Sequence, residues 1–163
     1  MNDIAPADSK YRLGIGVMLL NARGRVLMCR RNDIDGGAWQ MPQGGINKGE
    51  NPRIGALREL KEEIGTDSAT IIAESMDWYQ YDLPKTIVGK TWGGKYIGQR
   101  QKWFLMRFTG RDEDINLDMQ HAEFDGWIWV PPGDLPDLVV SFKRNLYVAV
   151  LEEFRALCGP VAE

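Results

Sequence analysis

The sequence of 163 residues predicts an α/β fold, a mixed β-sheet with helices packed on it. Three observations carry this. Strand-like apolar runs come first, one amphipathic helix interrupts them, and further strands precede a last helix, so each element finds its core only by layering helix on sheet. With 44% apolar, 26% charged and 10% aromatic residues, the composition is that of an ordinary globular chain, long enough to bury roughly two thirds of its unfolded surface in one domain.

Taken in order, residues 1–10 are polar and contain proline, and read as a flexible tail. The domain is expected over 11–158, with 159–163 a C-terminal tail. "RLGIGVMLL" and "RVLMCR" flank "NARG", two strands joined by a tight turn. After the loop "RNDIDGGA", "WQMPQGG" is a short strand whose glycines free the backbone to turn. A helix follows, with Asn51 as N-cap, Pro52 at its first position and Gly65 as its stop. "TIIAESMDWYQYDL" and "QRQKWFLMRF" read as two longer strands, and "FDGWIWV" as another with alternating large side chains. Between the first two, "PKTIVGKTWGGKYIG" holds Pro84 and four glycines and is expected to be a mobile loop. From Ser141 to Leu157, Phe142, Leu146, Val150, Phe154 and Leu157 recur at helical spacing. Trp39, Trp103, Trp127 and Trp129 lie in strand-like segments and are expected to fill the core, whereas Trp92, among the loop glycines, is the better stacking surface.

Composition excludes several classes. A net charge of -3 argues against an indiscriminate binder of duplex DNA, which needs a positive face. His121 is the only histidine, which weighs against a His/Cys zinc site; it reads as a loop residue. Cys29 and Cys158 are far apart and read as two buried thiols rather than a disulfide. No run approaches the roughly 18 apolar residues that span a bilayer, and the N-terminus lacks a signal-like apolar core. The expectation is a cytoplasmic protein with no membrane partner.

The helix after "WQMPQGG" is unusual in its charge. At about 100° per residue, Glu59, Glu62 and Glu63 share one narrow face, opposite Leu57, Leu60 and Ile64. A solvated face selected for stability alternates lysines with its glutamates. Here Glu59 and Glu63 form an i, i+4 like-charge pair costing about 0.2–0.5 kcal/mol, and Glu62 and Glu63 stand at the negative end of the helix, about 0.3–1 kcal/mol each. A divalent cation reverses the sign of these terms, because hard Mg²⁺ takes carboxylate oxygens and keeps waters for a substrate's phosphates.

Gly44, Glu50 and "RELKEEIG" from Arg58 to Gly65 together resemble the Nudix box, G-x5-E-x7-R-E-U-x-E-E-x-G-U with U a bulky apolar residue. Every fixed position matches and Leu60 satisfies the first U; Thr66 departs from the last, which bears on packing beside the helix. Beyond the box, "WQMPQGGIN", "GQRQKWFL", "EFDGWIWV" and "VVSFKRNLY" resemble the bacterial RNA pyrophosphohydrolase and dinucleoside polyphosphate hydrolase branch, over roughly Tyr11 to Phe154. The resemblance implies the Nudix fold, an α/β/α sandwich with a central mixed β-sheet, and metal-dependent hydrolysis of phosphoanhydride bonds. It implies Glu59, Glu62, Glu63, Glu123 and the Gly44 carbonyl as ligands of Mg²⁺, with Mn²⁺ a substitute. Arg58 and Glu50 brace them, and Arg58 is counted with Glu59 and Glu123 in the catalytic set. Either Glu59 or Glu123 takes the proton from water.

Substrate contacts implied in the same way are Arg12, Arg31, Tyr81, Lys102, Phe142 and Lys143, although Tyr81 and Phe142 could equally be core residues. Lys85, Lys90, Lys95, Arg100 and Lys102, with no acidic residue between Pro84 and Trp103, form a segment able to receive a polyphosphate or RNA backbone. The leading expectation is removal of pyrophosphate or phosphate from RNA 5' ends. Hydrolysis of diadenosine tetraphosphate at the same site, clearance of oxidised nucleotides, and a non-catalytic nucleotide- or RNA-binding module remain as alternatives.

Overall fold

The computed structural model describes residues 10–32, 38–118 and 123–161. Positions 1–9 of the expected N-terminal tail, and His121, lie outside the described residues. The elements run β1 (Tyr11–Leu20), β2 (Val26–Arg31), β3 (Trp39–Gln40), β4 (Gln43–Gly45), α1 (Pro52–Ile64), β5 (Ala69–Glu74), β6 (Tyr79–Asp82), α2 (Lys85–Val88), β7 (Gly98–Phe108), β8 (Phe124–Val130), α3 (Leu135–Leu138) and α4 (Arg144–Phe154).

The centre of the sheet is the parallel pair β1 and β7, in register from Tyr11↔Gly98 to Leu20↔Arg107. Asn21 makes the turn out of β1, its Oδ1 accepting from the backbone N–H of both Arg23 and Arg25 at 3.0 Å. β1 and β2 then pair at Leu20↔Val26, while the first half of β1 is taken by β4, from Gly14↔Gly45 to Gly16↔Gln43. β2 instead lies along β8 and β3. The short strand β4 therefore sits where the sheet opens, and the functional cavity forms around it.

Because strand side chains alternate, β1 and β7 feed two cores. Met18, Leu20, Trp103 and Leu105 face α4 with Tyr147, Val150 and Phe154. Ile15, Val17, Leu19, Phe104 and Met106 face α1 with Ala56, Leu60 and Ile64. Burial on both faces explains why "RLGIGVMLL" reads as a continuous apolar run; each such side chain contributes about 1.5–3 kcal/mol. Trp103 is fully buried, edge-to-face on Tyr147 at 5.9 Å, and its Nε1 donates to Gln101 Oε1 at 3.1 Å. Trp39, Trp127 and Trp129 are only half-buried against these cores.

Four expectations change. "TIIAESMDWYQYDL" is two strands, not one. The Ser75 backbone N–H donates to Trp103 O at 2.8 Å and its Oγ accepts from Trp103 N at 3.0 Å, so residues 75–78 loop out between the pairs Glu74↔Phe104 and Tyr79↔Gln101. The expected loop at 84–98 contains α2 and a tight helical turn at Trp92–Gly94, with Ile87, Val88 and Trp92 packed on the α4-side core, and its last residue, Gly98, already opens β7. Leu157 is 47% exposed, since the chain leaves α4 for a tighter turn at Arg155–Leu157; Tyr147 and Leu151 fill the helix's inner face instead. The described part of the C-terminal tail is tied to the β1–β2 turn, with Val161 N donating to Ala22 O and Arg107 Nη2 to Gly159 O, both at 2.8 Å. Cys29 and Cys158 are buried free thiols, and no helix among the described residues is long and apolar enough to cross a membrane.

Candidate active site

Helix α1 is set in place by local chemistry. Asn51 Oδ1 accepts from Arg53 N at 2.8 Å, which satisfies one of the free donors of the first turn. Gly65 ends the helix at φ 80°, its N–H returning to Lys61 O, a conformation glycine adopts without strain. Leu60 and Ile64 are buried beneath, so Glu59, Glu62 and Glu63 turn toward β4.

Strand β4 is a partition two glycines thick. Successive residues of a strand face opposite sides, and here the two sides carry opposite charge. A Cβ on Gly44 would stand 2.0 Å from Glu59 Cδ, and one on Gly45 would stand 2.2 Å from Arg12 Nη2. Only hydrogen at both positions lets a carboxylate and a guanidinium pack on the two faces of one strand. A cavity of about 660 Å³ wraps this edge. It is lined by the acids Glu59, Glu62, Glu63 and Glu123, by the cations Arg12, Arg31, Lys90 and Lys143, and by the rings of Tyr81, Trp92 and Phe142.

Arg58 braces the acids. Its Nε and Nη2 hold both oxygens of Glu50 at 2.7 and 2.9 Å, Nη2 donates to Gly45 O at 2.9 Å, and Nη1 donates to Glu59 at 2.9 Å and Glu62 at 3.2 Å. One guanidinium thus ties β4 to α1 with the fork geometry that lysine lacks. The Arg58 hydrogen bonds hold the Glu50 carboxyl below its usual range, against burial. Glu59 is pushed up by burial and then by Glu62, against the pull of Arg58 and Arg12. Glu63 is pushed up further, by burial, then Glu123 and Glu59, despite the Gln43 N–H at 3.2 Å and the nearby Lys143. Burial first, and neighbouring carboxylates second, thus disfavour the ionised forms of Glu59 and Glu63.

These residues suit a divalent cation in kind, being hard oxygen donors on crowded carboxylates. As they stand, no three Asp, Glu, His or Cys side chains among the described residues are gathered closely enough to hold an ion. Glu59 and Glu62 each give one oxygen to Arg58, and Glu63 gives one to the Gln43 N–H, so each carboxylate keeps a second oxygen with which to meet an ion.

Other lining residues are aromatic and basic. Tyr81 is buried, its ring 5.8 Å from that of Phe142 and 5.1 Å from Lys143 Nζ. Its hydroxyl donates to Gln99 Oε1 at 3.0 Å and, by burial, is pushed up to about 12. Tyr81 is thus at once a core residue and part of the cavity wall, as the sequence left open.

The model of the NUDIX domain matches residues 10–150. The chain belongs to the NUDIX family. It is 56% identical over 161 residues to an RNA pyrophosphohydrolase of Novosphingobium aromaticivorans, covering 96% of this chain and 99% of that one. It is 54% identical over 148 residues to an RNA pyrophosphohydrolase of Roseobacter denitrificans, covering 90% and 92%. The E. coli dihydroneopterin triphosphate pyrophosphohydrolase superposes with a TM-score of 0.66 at 20% identity, covering 88% of this chain and 98% of that one, a likeness of fold. The chain is a Nudix hydrolase, an enzyme that cleaves phosphoanhydride bonds, in a family that uses divalent cations.

Of the residues singled out in the sequence of this Nudix hydrolase, the structure brings Arg12, Arg31, Gly44, Glu59, Glu62, Glu63, Tyr81, Glu123, Phe142 and Lys143 to one cavity, with Arg58 and Glu50 behind the acids. Lys102 is not brought there. It is 3% exposed and alternates with Trp103, so it lies on the α1-facing side of β7 with Phe104, away from Tyr81 and Gln99. Of the five cations in the basic segment, Lys90 alone lines the cavity. Gln40 and Gln43 also line it, unforeseen. Gln43 pairs with both Glu63 and Gln101, and its one visible signal was its place directly before the two glycines.

Proposed function

We propose that this Nudix hydrolase is a Mg²⁺-dependent RNA 5'-pyrophosphohydrolase of the reducing cytoplasm. The carrying observation is the cavity around β4, which gathers four carboxylates and four cations, with Glu59 and Arg12 on opposite faces of the strand. Such a site answers the charge problem of phosphoanhydride hydrolysis, in which water must attack a phosphorus already surrounded by anionic oxygens. The choice of RNA is supported by the activity named for the relatives at 54% and 56% identity. The unpaired thiols of Cys29 and Cys158 support the compartment.

Glu59, Glu62, Glu63 and Glu123, with the Gly44 carbonyl, would hold the cation. When bound, Mg²⁺ neutralises phosphate charge and lowers the pKa of an attacking water. Arg12, Arg31 and Lys143 bind the phosphate chain and orient it against the acids. Arg58, anchored by Glu50, fixes the direction of the Glu59 carboxylate. Glu59 or Glu123 takes the proton from water. Tyr81 and Phe142 offer rings to the first nucleobases.

The test compares kcat/KM for 5'-triphosphate RNA and for diadenosine tetraphosphate in Mg²⁺. Preference for RNA is expected; turnover of the dinucleotide with inert RNA overturns it. Glu62 is 58% exposed at its side chain, so Glu62→Gln is expected to fold normally and lose most activity. Turnover at background in the unaltered chain and in the variant alike, with RNA still bound, points to a binding module.

A further inference from the structure

We infer that Trp92, Tyr96 and Lys95 form an exit path for single-stranded RNA, one that begins at Arg12 inside the cavity and receives the nucleotides behind the cleaved 5' end. The inference rests on the function proposed above. Arg12 Cζ lies over the Trp92 ring at 5.2 Å; the Trp92 and Tyr96 rings meet edge-to-face at 6.3 Å; Lys95 Nζ lies over the Tyr96 ring at 5.5 Å. Cation, ring, ring and cation thus follow one another without a break. Arg12 and Trp92 line the cavity, whereas Tyr96 and Lys95 do not, so the series starts at the phosphate site and leaves it. Alternation of cations with aromatic faces is how proteins hold single strands, the cations tracking phosphates and the rings accepting bases of any sequence. Arg12 and Lys95 each cover part of one ring and Trp92 also packs on the α4-side core, yet both rings are only half-buried, which leaves part of each open to a base.

The backbone supports a dedicated role. Trp92 has φ 50°, and among the described residues no other non-glycine has a positive φ. For a bulky residue this is a true outlier, kept only where surrounding structure demands it. The segment is held rather than loose: Thr91 Oγ1 donates to Ile87 O at 3.0 Å, Gly94 N to Thr91 O at 2.9 Å and Ile97 N to Lys10 O at 2.9 Å. The loop therefore fixes where the indole lies.

The experiment measures kcat/KM for a 5'-triphosphate RNA of about a dozen unpaired nucleotides and for a 5'-triphosphate dinucleotide. In the unaltered enzyme the longer RNA is expected to be favoured. Tyr96→Ala and Trp92→Ala are expected to lower the ratio of long to short about ten-fold each, the scale of one lost base stack, while Tyr96→Phe and Trp92→Phe keep it, because stacking needs the ring. Lys95→Ala, an exposed change, is expected to weaken the salt dependence of KM for the long RNA alone, by one phosphate contact. Equal kcat/KM for long and short RNA in the unaltered enzyme, or a ratio unchanged by the alanine variants, overturns the exit path. Failure of the unaltered enzyme on both RNAs overturns instead the proposed function on which it rests.

Discussion

At the scale of single residues, a methyl group decides the site. A Cβ at Gly44 meets the Glu59 carboxylate from Cδ at 2.0 Å to Oε1 at 2.5 Å, and one at Gly45 meets the Arg12 guanidinium. Neither glycine has a positive φ, so alanine is tolerated by the backbone and the collision falls on the functional side chain. Gly44→Ala is expected to turn Glu59 out of line and lower kcat by at least about 100-fold, since a shift of about 1 Å in a reacting constellation is enough. Gly45→Ala displaces Arg12 and is expected to act mainly on KM, raising it about ten-fold, because the role proposed for Arg12 is to bind the phosphates rather than the water. Steady-state kinetics on the two variants separates these effects; a shared loss of kcat alone would contradict the assignment of opposite faces to opposite roles. The glycines themselves are plain in "WQMPQGG". What they face is not, because Arg12 reaches Gly45 through a strand pairing set by register, not by any local pattern.

At the scale of elements, what is legible follows from locality. The caps of α1 and its acidic face come from residues within one or two turns, so Asn51, Pro52, Gly65 and the three glutamates can all be read from sequence. Asn51→Ala removes the bond to Arg53 N and is expected to cost about 1 kcal/mol, a fall of about 2–4 °C in Tm for a domain of this size. Turnover at 25 °C is expected to stay within about two-fold, which calorimetry and kinetics on one preparation can check; a large loss of activity would show that the cap also aims the glutamates. Elements that depend on distant partners are less legible. The break between β5 and β6 is imposed by the bonds of Ser75 to Trp103, and Lys102 is buried on the α1-facing side of β7, in a strand whose neighbours lie far away in sequence. A run of apolar residues reports that a strand is buried; it does not report which strand interrupts it.

At the scale of the whole molecule, the fold holds two carboxyls against their preference, and stability carries the mark of this. Glu59 and Glu63 have proton affinities raised above the usual value of 4.5, so folding favours their protonated forms. Their contribution is full below that value and is withdrawn as pH rises through the raised values. Glu50, held low by Arg58, works in the opposite sense: it stabilises above 4.5 and loses that effect only as pH falls through its lowered value. In EDTA the Glu63→Gln variant is therefore expected to gain Tm over the unaltered chain as pH rises from about 5 to 8, because it no longer buries an ionised group. Divalent cation inverts the order. An ion at one hundred times its Kd is expected to stabilise the unaltered chain by about 2.7 kcal/mol, or roughly 5–10 °C, and the variant by less, since it lacks the ligand proposed at Glu63. Thermal melts of both chains at several pH values, with EDTA and with Mg²⁺, give the comparison. A Tm difference that stays constant from pH 5 to 8, or that Mg²⁺ does not reverse, would mean that Glu63 is satisfied by Gln43 and Lys143 alone, and that the acids of α1 are crowded for a reason other than an ion.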